Sequence, residues 1–183
     1  MAEGAGFRRV VVALDASQAS RRVLGAAAAL AAREGAELVG LFVEDVNLLH
    51  MGALPFTRVA GAGPLSRAVD HGMLERALRR AAQETRAAFA RLAEGKAIPW
   101  SFQVVRGVAA REILSATDAD DLLILDDAAL GRALGPALAR TRASVLCLHS
   151  DDDGTREVLV AWRGGKAGRR TLTAAAIMAL ATE

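Results

Sequence analysis

The stretch that decides the fold is "FRRVVVALDASQASRRVLGAAAALAAREGAELVGLFVE", residues 7–44. It opens on a β-branched apolar run, 7–14, and turns through "DASQAS". An alanine-rich helix follows from about Gln18 to Glu34, then a second apolar run, 36–44. Strand, helix and strand in that order make a βα unit, whose strands pair in parallel and are covered on both faces.

The alternation continues outward from this unit. A long loop, "DVNLLHMGALPFTRVAGAGPLS", carries Gly52, Pro55, Gly61, Gly63 and Pro64, and a loop of this length is a lid, a binding element or an ordered excursion. The spacing of Leu74, Leu78, Ala81, Thr85, Ala88 and Leu92 predicts an amphipathic helix from about Ser66 to Glu94. Next come a strand "WSFQVV" (100–105), a helix "AAREILSATD" after Gly107 and a strand "DLLIL". A helix around 129–142 and a strand "SVLCLH" (144–149) complete the set. Five strands with intervening helices predict an α/β, flavodoxin-like open parallel sheet with helices on both faces. Its crevice would lie at the carboxyl ends of the first and fourth strands.

Composition narrows the class. Of 183 residues, 52% are hydrophobic and 24% charged, so the chain can bury a core without disulfides or metal. The net charge of +2, with arginines interspersed among glutamates on helices, indicates solvated helix faces and no nucleic-acid partner. The single cysteine, Cys147, lies in an apolar strand, which reads as core packing and suits a reducing, cytoplasmic setting. The N-terminus lacks a signal-peptide pattern and no stretch approaches a membrane span, so no membrane role is expected.

An acidic linker, "DDDGT" (151–155), separates residues 1–150 from residues 156–183. "REVLVAWRGGKAGRRTLTAAAIMAL", from Arg156, repeats "RRVVVALDASQASRRVLGAAAALAA", from Arg8. Nearly half of the aligned positions are identical without a gap, which favours duplication over chance likeness of two βα units. Residues 156–183 therefore read as the first βα unit of a second, incomplete copy. A lone βα unit cannot bury both of its faces, so the chain is either a fragment of a tandem protein or docks this unit on the first domain or on a second copy.

With these segments in place, residues 8–149 resemble the universal stress protein family. "VVVALDASQASRRVLGAAAALAAREGAELVGLFVED" resembles the family's opening, and "VVRGVAAREILSATDADDLLIL" its second half. The 156–181 repeat resembles the opening of a second such domain. In nucleotide-binding members, an Asp ending the first strand and a valine ending the second contact adenosine. By that resemblance the positions here are Asp15 and Val43. The family holds the phosphates in a G-x2-G-x9-G-[S/T] loop after the fourth strand, where glycines admit backbone N–H groups and a helix N-terminus favours an anion. Here Gly131-Arg132 falls on the last pair, and the loop before it is shorter by roughly nine residues. Asp126 and Asp127 stand where the cradle would begin, and their charge opposes a triphosphate unless a metal bridges them.

Each candidate residue also has a plain structural role. Asp15 is a ligand-facing carboxylate or a helix N-cap. Gly107 is required by the backbone before its helix, with a ligand role adding little. Asp126 and Asp127 suit capping and turn formation better than Mg²⁺. In the repeat, Arg163 replaces the Asp15 carboxylate, and "RGGKAGRR" (163–170) lacks the spacing of a P-loop. His50 and His71 have no further ligands at metal-site spacing, so no metal site is expected. No nucleophile–base motif supports catalysis.

The sequence therefore predicts a non-catalytic stress-response or regulatory protein with a degenerate nucleotide site and no cofactor. It would act through oligomeric or partner contacts. The alternative is an adenine-nucleotide sensor that binds ATP or AMP near Asp15, Val43 and Arg132. The strand Ser144 to His149 is the expected edge for homodimer or tandem-domain pairing, because an exposed apolar edge otherwise invites aggregation.

Overall fold

A computed structural model describes residues 6–14, 19–46, 71–126, 141–150, 156–161 and 165–180. The elements are β1 (Arg9–Leu14), α1 (Ala19–Glu34), β2 (Glu37–Asp45), α2 (His71–Gly95), β3 (Trp100–Gly107), α3 (Ala109–Ser115), β4 (Asp121–Asp126), β5 (Ser144–Ser150), β6 (Arg156–Ala161) and α4 (Gly165–Leu180). The strands form one sheet in the order β3-β2-β1-β4-β5-β6. The first five run parallel, as the alternation of strands and helices predicts. The sixth pairs antiparallel with β5, Leu146 facing Val160 and Ser150 facing Arg156.

The central strands are apolar without alternation because both of their faces are covered. Val10 to Leu14 of β1 and Leu122 to Leu125 of β4 are all buried. On one face Val10, Val12, Leu14, Leu122 and Ile124 pack against residues of α1, α2 and α4. On the other, Val11, Ala13, Leu41, Val43, Leu123 and Leu125 pack against Ala109 and Ile113 of α3. This division follows from right-handed crossovers in a sheet whose strand order reverses after β3.

The loop around 45–66 and the expected helix around 129–142 fall mainly outside the described residues. α2 is described from His71, its expected start near Ser66 lying outside the described residues, and its buried row is rotated. Leu78, Ala82, Thr85, Phe89 and Ala93 face the sheet, whereas Leu74, Ala81, Ala88 and Leu92 are half-buried beside them. Phe89 sets this rotation. Its ring lies 5.9 Å from Trp100 and 5.5 Å from Phe102, centroid to centroid. It also occupies the space above Gly40, where a Cβ would stand 2.7 Å from Phe89 and 2.6 Å from Phe102.

α1 and α2 end in the same way. Ala36 N–H donates to the Ala31 carbonyl at 3.0 Å past Gly35, whose φ is 65°. Ile98 N–H donates to the Ala93 carbonyl at 3.0 Å past Ala97, whose φ is 52°. Both are Schellman caps, but the second places a side chain where glycine is favoured.

Candidate functional site

Because β1 leads away to β2 while β4 lies on its other side, the crevice expected of open α/β sheets falls at the carboxyl ends of β1 and β4. Val43 and Gly107 come to this end of the sheet on neighbouring strands, Val43 facing Val105 and Asp45 facing Gly107. Val43 is 5% exposed and packs with the face that holds Leu41, Leu125 and Ile113, so its side chain is mainly core. Asp15, Gly131, Arg132 and Asp127 lie outside the described residues, as does the side chain of Asp126.

The charges at this end were not singled out in the sequence. Parallel register sets Arg106 beside Glu44. The Arg106 Nε donates to Glu44 Oε2 at 2.9 Å, and its Nη2 lies at the same distance from that oxygen. Its Nη1 donates to Glu75 Oε1 of α2 at 3.2 Å. The hydrogen bond to Glu44, reinforced by the attraction of both carboxylates, raises the Arg106 pKa above its ordinary value. Glu44 is buried, and Arg106 is its cationic partner. The arginine therefore ties β2, β3 and α2 together through two carboxylates.

Gly107 lies beneath the Glu112 side chain. A Cβ there would lie 2.3 Å from Glu112 Oε1 and 2.7 Å from Glu112 Cγ. Glu112, in the first turn of α3, folds back over the glycine, where a carboxylate complements the helix dipole. Among the described residues, no group of three His, Cys, Asp or Glu is placed to hold a metal ion.

The opposite end of the sheet carries a second cluster of a different kind. Arg9 and Asp121 face each other across β1 and β4. Arg9 Nε donates to Asp121 Oδ1 at 2.9 Å, and Nη2 donates to Asp121 Oδ2. The Asp118 N–H also donates to Asp121 Oδ2, at 2.7 Å. Asp121 is 0% exposed and Arg9 21%, so this ion pair is effectively buried. The hydrogen bond to Asp121 raises the Arg9 pKa against the opposing effect of burial. Sequence reasoning missed this anchor because its partners are 112 residues apart, and only the strand order makes them neighbours.

An open α/β sheet with a crevice at its switch point defines a fold class that hosts many activities, not a single one. Within that class the comparisons are specific: the universal stress protein family model matches residues 6–125, and the chain belongs to that family. Solved structures agree at the level of the fold. A universal stress protein family member from Burkholderia pseudomallei is 23% identical, with a TM-score of 0.55, over 77% of this chain and 95% of that one. The universal stress protein UspA from Lactobacillus plantarum is 18% identical, with a TM-score of 0.52, over 78% of this chain and 97% of that one. Comparison with curated protein sequences finds no match. Among the described residues, no helix is long and apolar enough to cross a membrane.

Proposed function

We infer that this chain is a non-catalytic stress-response or regulatory protein that acts through oligomeric or partner contacts, its phosphate loop shortened beyond use. The observation that carries this reading is the state of Arg106. This arginine, at the carboxyl end of β3, is held by Glu44 and Glu75. The sequence adds to this, because Asp126 and Asp127 follow β4 directly and the family match ends at residue 125, just before them. Their charge opposes that of a polyphosphate.

Val43 and Gly107 at the crevice, with Asp15 in the sequence, favour a second reading, an adenine-nucleotide sensor. Isothermal titration of ATP, ADP and AMP, with and without Mg²⁺, separates the two. The first reading expects no heat at millimolar nucleotide. Micromolar binding that disappears in Asp15→Ala would establish the second instead.

A further inference from the structure

β5, the strand whose composition suits pairing with another chain, has both of its edges paired, β4 along one and β6 along the other. The β6 ladder runs from Val145 opposite Ala161 to Ser150 opposite Arg156, leaving out only Ser144 of β5. Beside it, α4 packs on the first domain. Thr171, Ala174 and Ala175 are buried, and the two alanines share a cluster with Leu24, Ala27 and Ala28 of α1 and Leu146 of β5. In the alignment of the two segments Leu24, 5% exposed, corresponds to Leu172, 44% exposed. The seat of the unit is therefore a backbone ladder and a row of small side chains.

The two strands that would end the sheet without this unit are built differently. β3 pairs with β2 alone among the described strands, and it carries the exposed polar side chains of Gln103 and Arg106. β5 reads SVLCLHS, with four apolar residues in a row, no proline, and no lysine, arginine or carboxylate. An uncovered strand of that composition is a template for another chain. β6 lies antiparallel to β5, the direction in which the β5 of a second copy would arrive across a twofold axis.

We propose that β6 and α4 are a built-in cover of the β5 edge, occupying the place where a second copy of this chain would pair. The proposal rests on the reading that the protein works through oligomeric contacts, and it adds that the β5 surface is withheld from them while the unit is seated.

Two full-length variants unseat the unit independently. In Val158→Pro/Leu159→Pro one of the prolines removes a ladder hydrogen bond whatever the phase, because N–H groups along an antiparallel strand point alternately toward and away from the neighbour. Ala174→Arg places a cation where the residue is 1% exposed. Hydrogen exchange and light scattering are followed over a range of protein concentrations. In the native chain, protection of β5 should not depend on concentration. In the variants β5 should exchange about tenfold faster or more when dilute, with β1 and β4 still protected. As concentration rises, their mass should double relative to the native chain and β5 protection should return. Variants whose β5 is open but whose mass never rises would overturn the proposal, as would variants whose β5 stays protected without association. Native β5 protection that grows with concentration would overturn it too, because the edge would then already pair between copies. Loss of protection in β1 and β4 in both variants would make the unit part of the core and not a cover. Micromolar nucleotide binding by the native chain would instead remove the oligomeric reading and leave the cover standing.

Discussion

The molecule contains one sequence pattern twice, and the two segments come to different ends. β1 with α1 is the centre of the structure: the strand lies between two parallel neighbours and the helix has two rows of residues buried. β6 with α4 has the same order of strand and Ala-rich helix, yet the strand pairs antiparallel, at the edge of the described sheet, and the helix keeps one of those rows exposed. Local sequence therefore determines that a strand and a helix form. Their surroundings determine how much each residue contributes, which is why position-by-position identity does not imply equal importance.

The largest break in that comparison should come from Arg9. Arg9→Met leaves the Asp121 carboxylate buried without its partner, and we expect a loss of about 3–5 kcal/mol in urea unfolding. Glu157→Met, at the position where glutamate replaces that arginine in the aligned sequence, should cost less. A pH series sharpens the point. Because the Arg9 pKa is raised, its part in the pair is complete below the ordinary arginine value and is lost only as pH rises through the higher folded value. The difference between native and Arg9→Met should thus hold constant from neutral pH to about pH 10.

Next in size are the matched leucines. Leu24→Ala opens a cavity in the packed face of α1 and should cost about 2–5 kcal/mol, whereas Leu172→Ala should fall within about 0.5 kcal/mol. Equal losses at the two sites would show that Leu172 is covered in solution. The smallest effects concern the two capped helix ends. Ala97→Gly relieves a left-handed residue and should stabilise by about 1 kcal/mol, while Gly35→Ala should destabilise by about as much. Thermal unfolding of the pair resolves both signs.

Much of the fold was legible because its central strands are buried on both faces, and such strands announce themselves as unbroken apolar runs. The face of α2 was not, because the heptad-like row of leucines and alanines competes with a single Phe89, and only the hollow over Gly40 decides between them. The direction of β6 was not legible either, since parallel and antiparallel edge strands have the same composition. Of the site, Val43 and Gly107 were read at the correct strand ends. The Glu44–Arg106–Glu75 cluster escaped because each member is an ordinary surface residue until β3 is laid beside β2 and α2 is laid over both. For Asp15, Gly131 and Arg132 the nucleotide titrations decide.

The antiparallel β5–β6 ladder also bears on the order in which the protein folds. Its strands are neighbours in sequence, with Ser150 opposite Arg156, so little chain entropy is lost in bringing them together, and hairpins of this kind form within about 1–10 μs. The β1–β4 contact must instead close more than a hundred residues of chain before Arg9 meets Asp121. The refolding barrier should therefore lie in assembling the centre of the sheet. Substitutions in β6 that weaken the ladder should thus slow folding and leave the unfolding rate nearly unchanged.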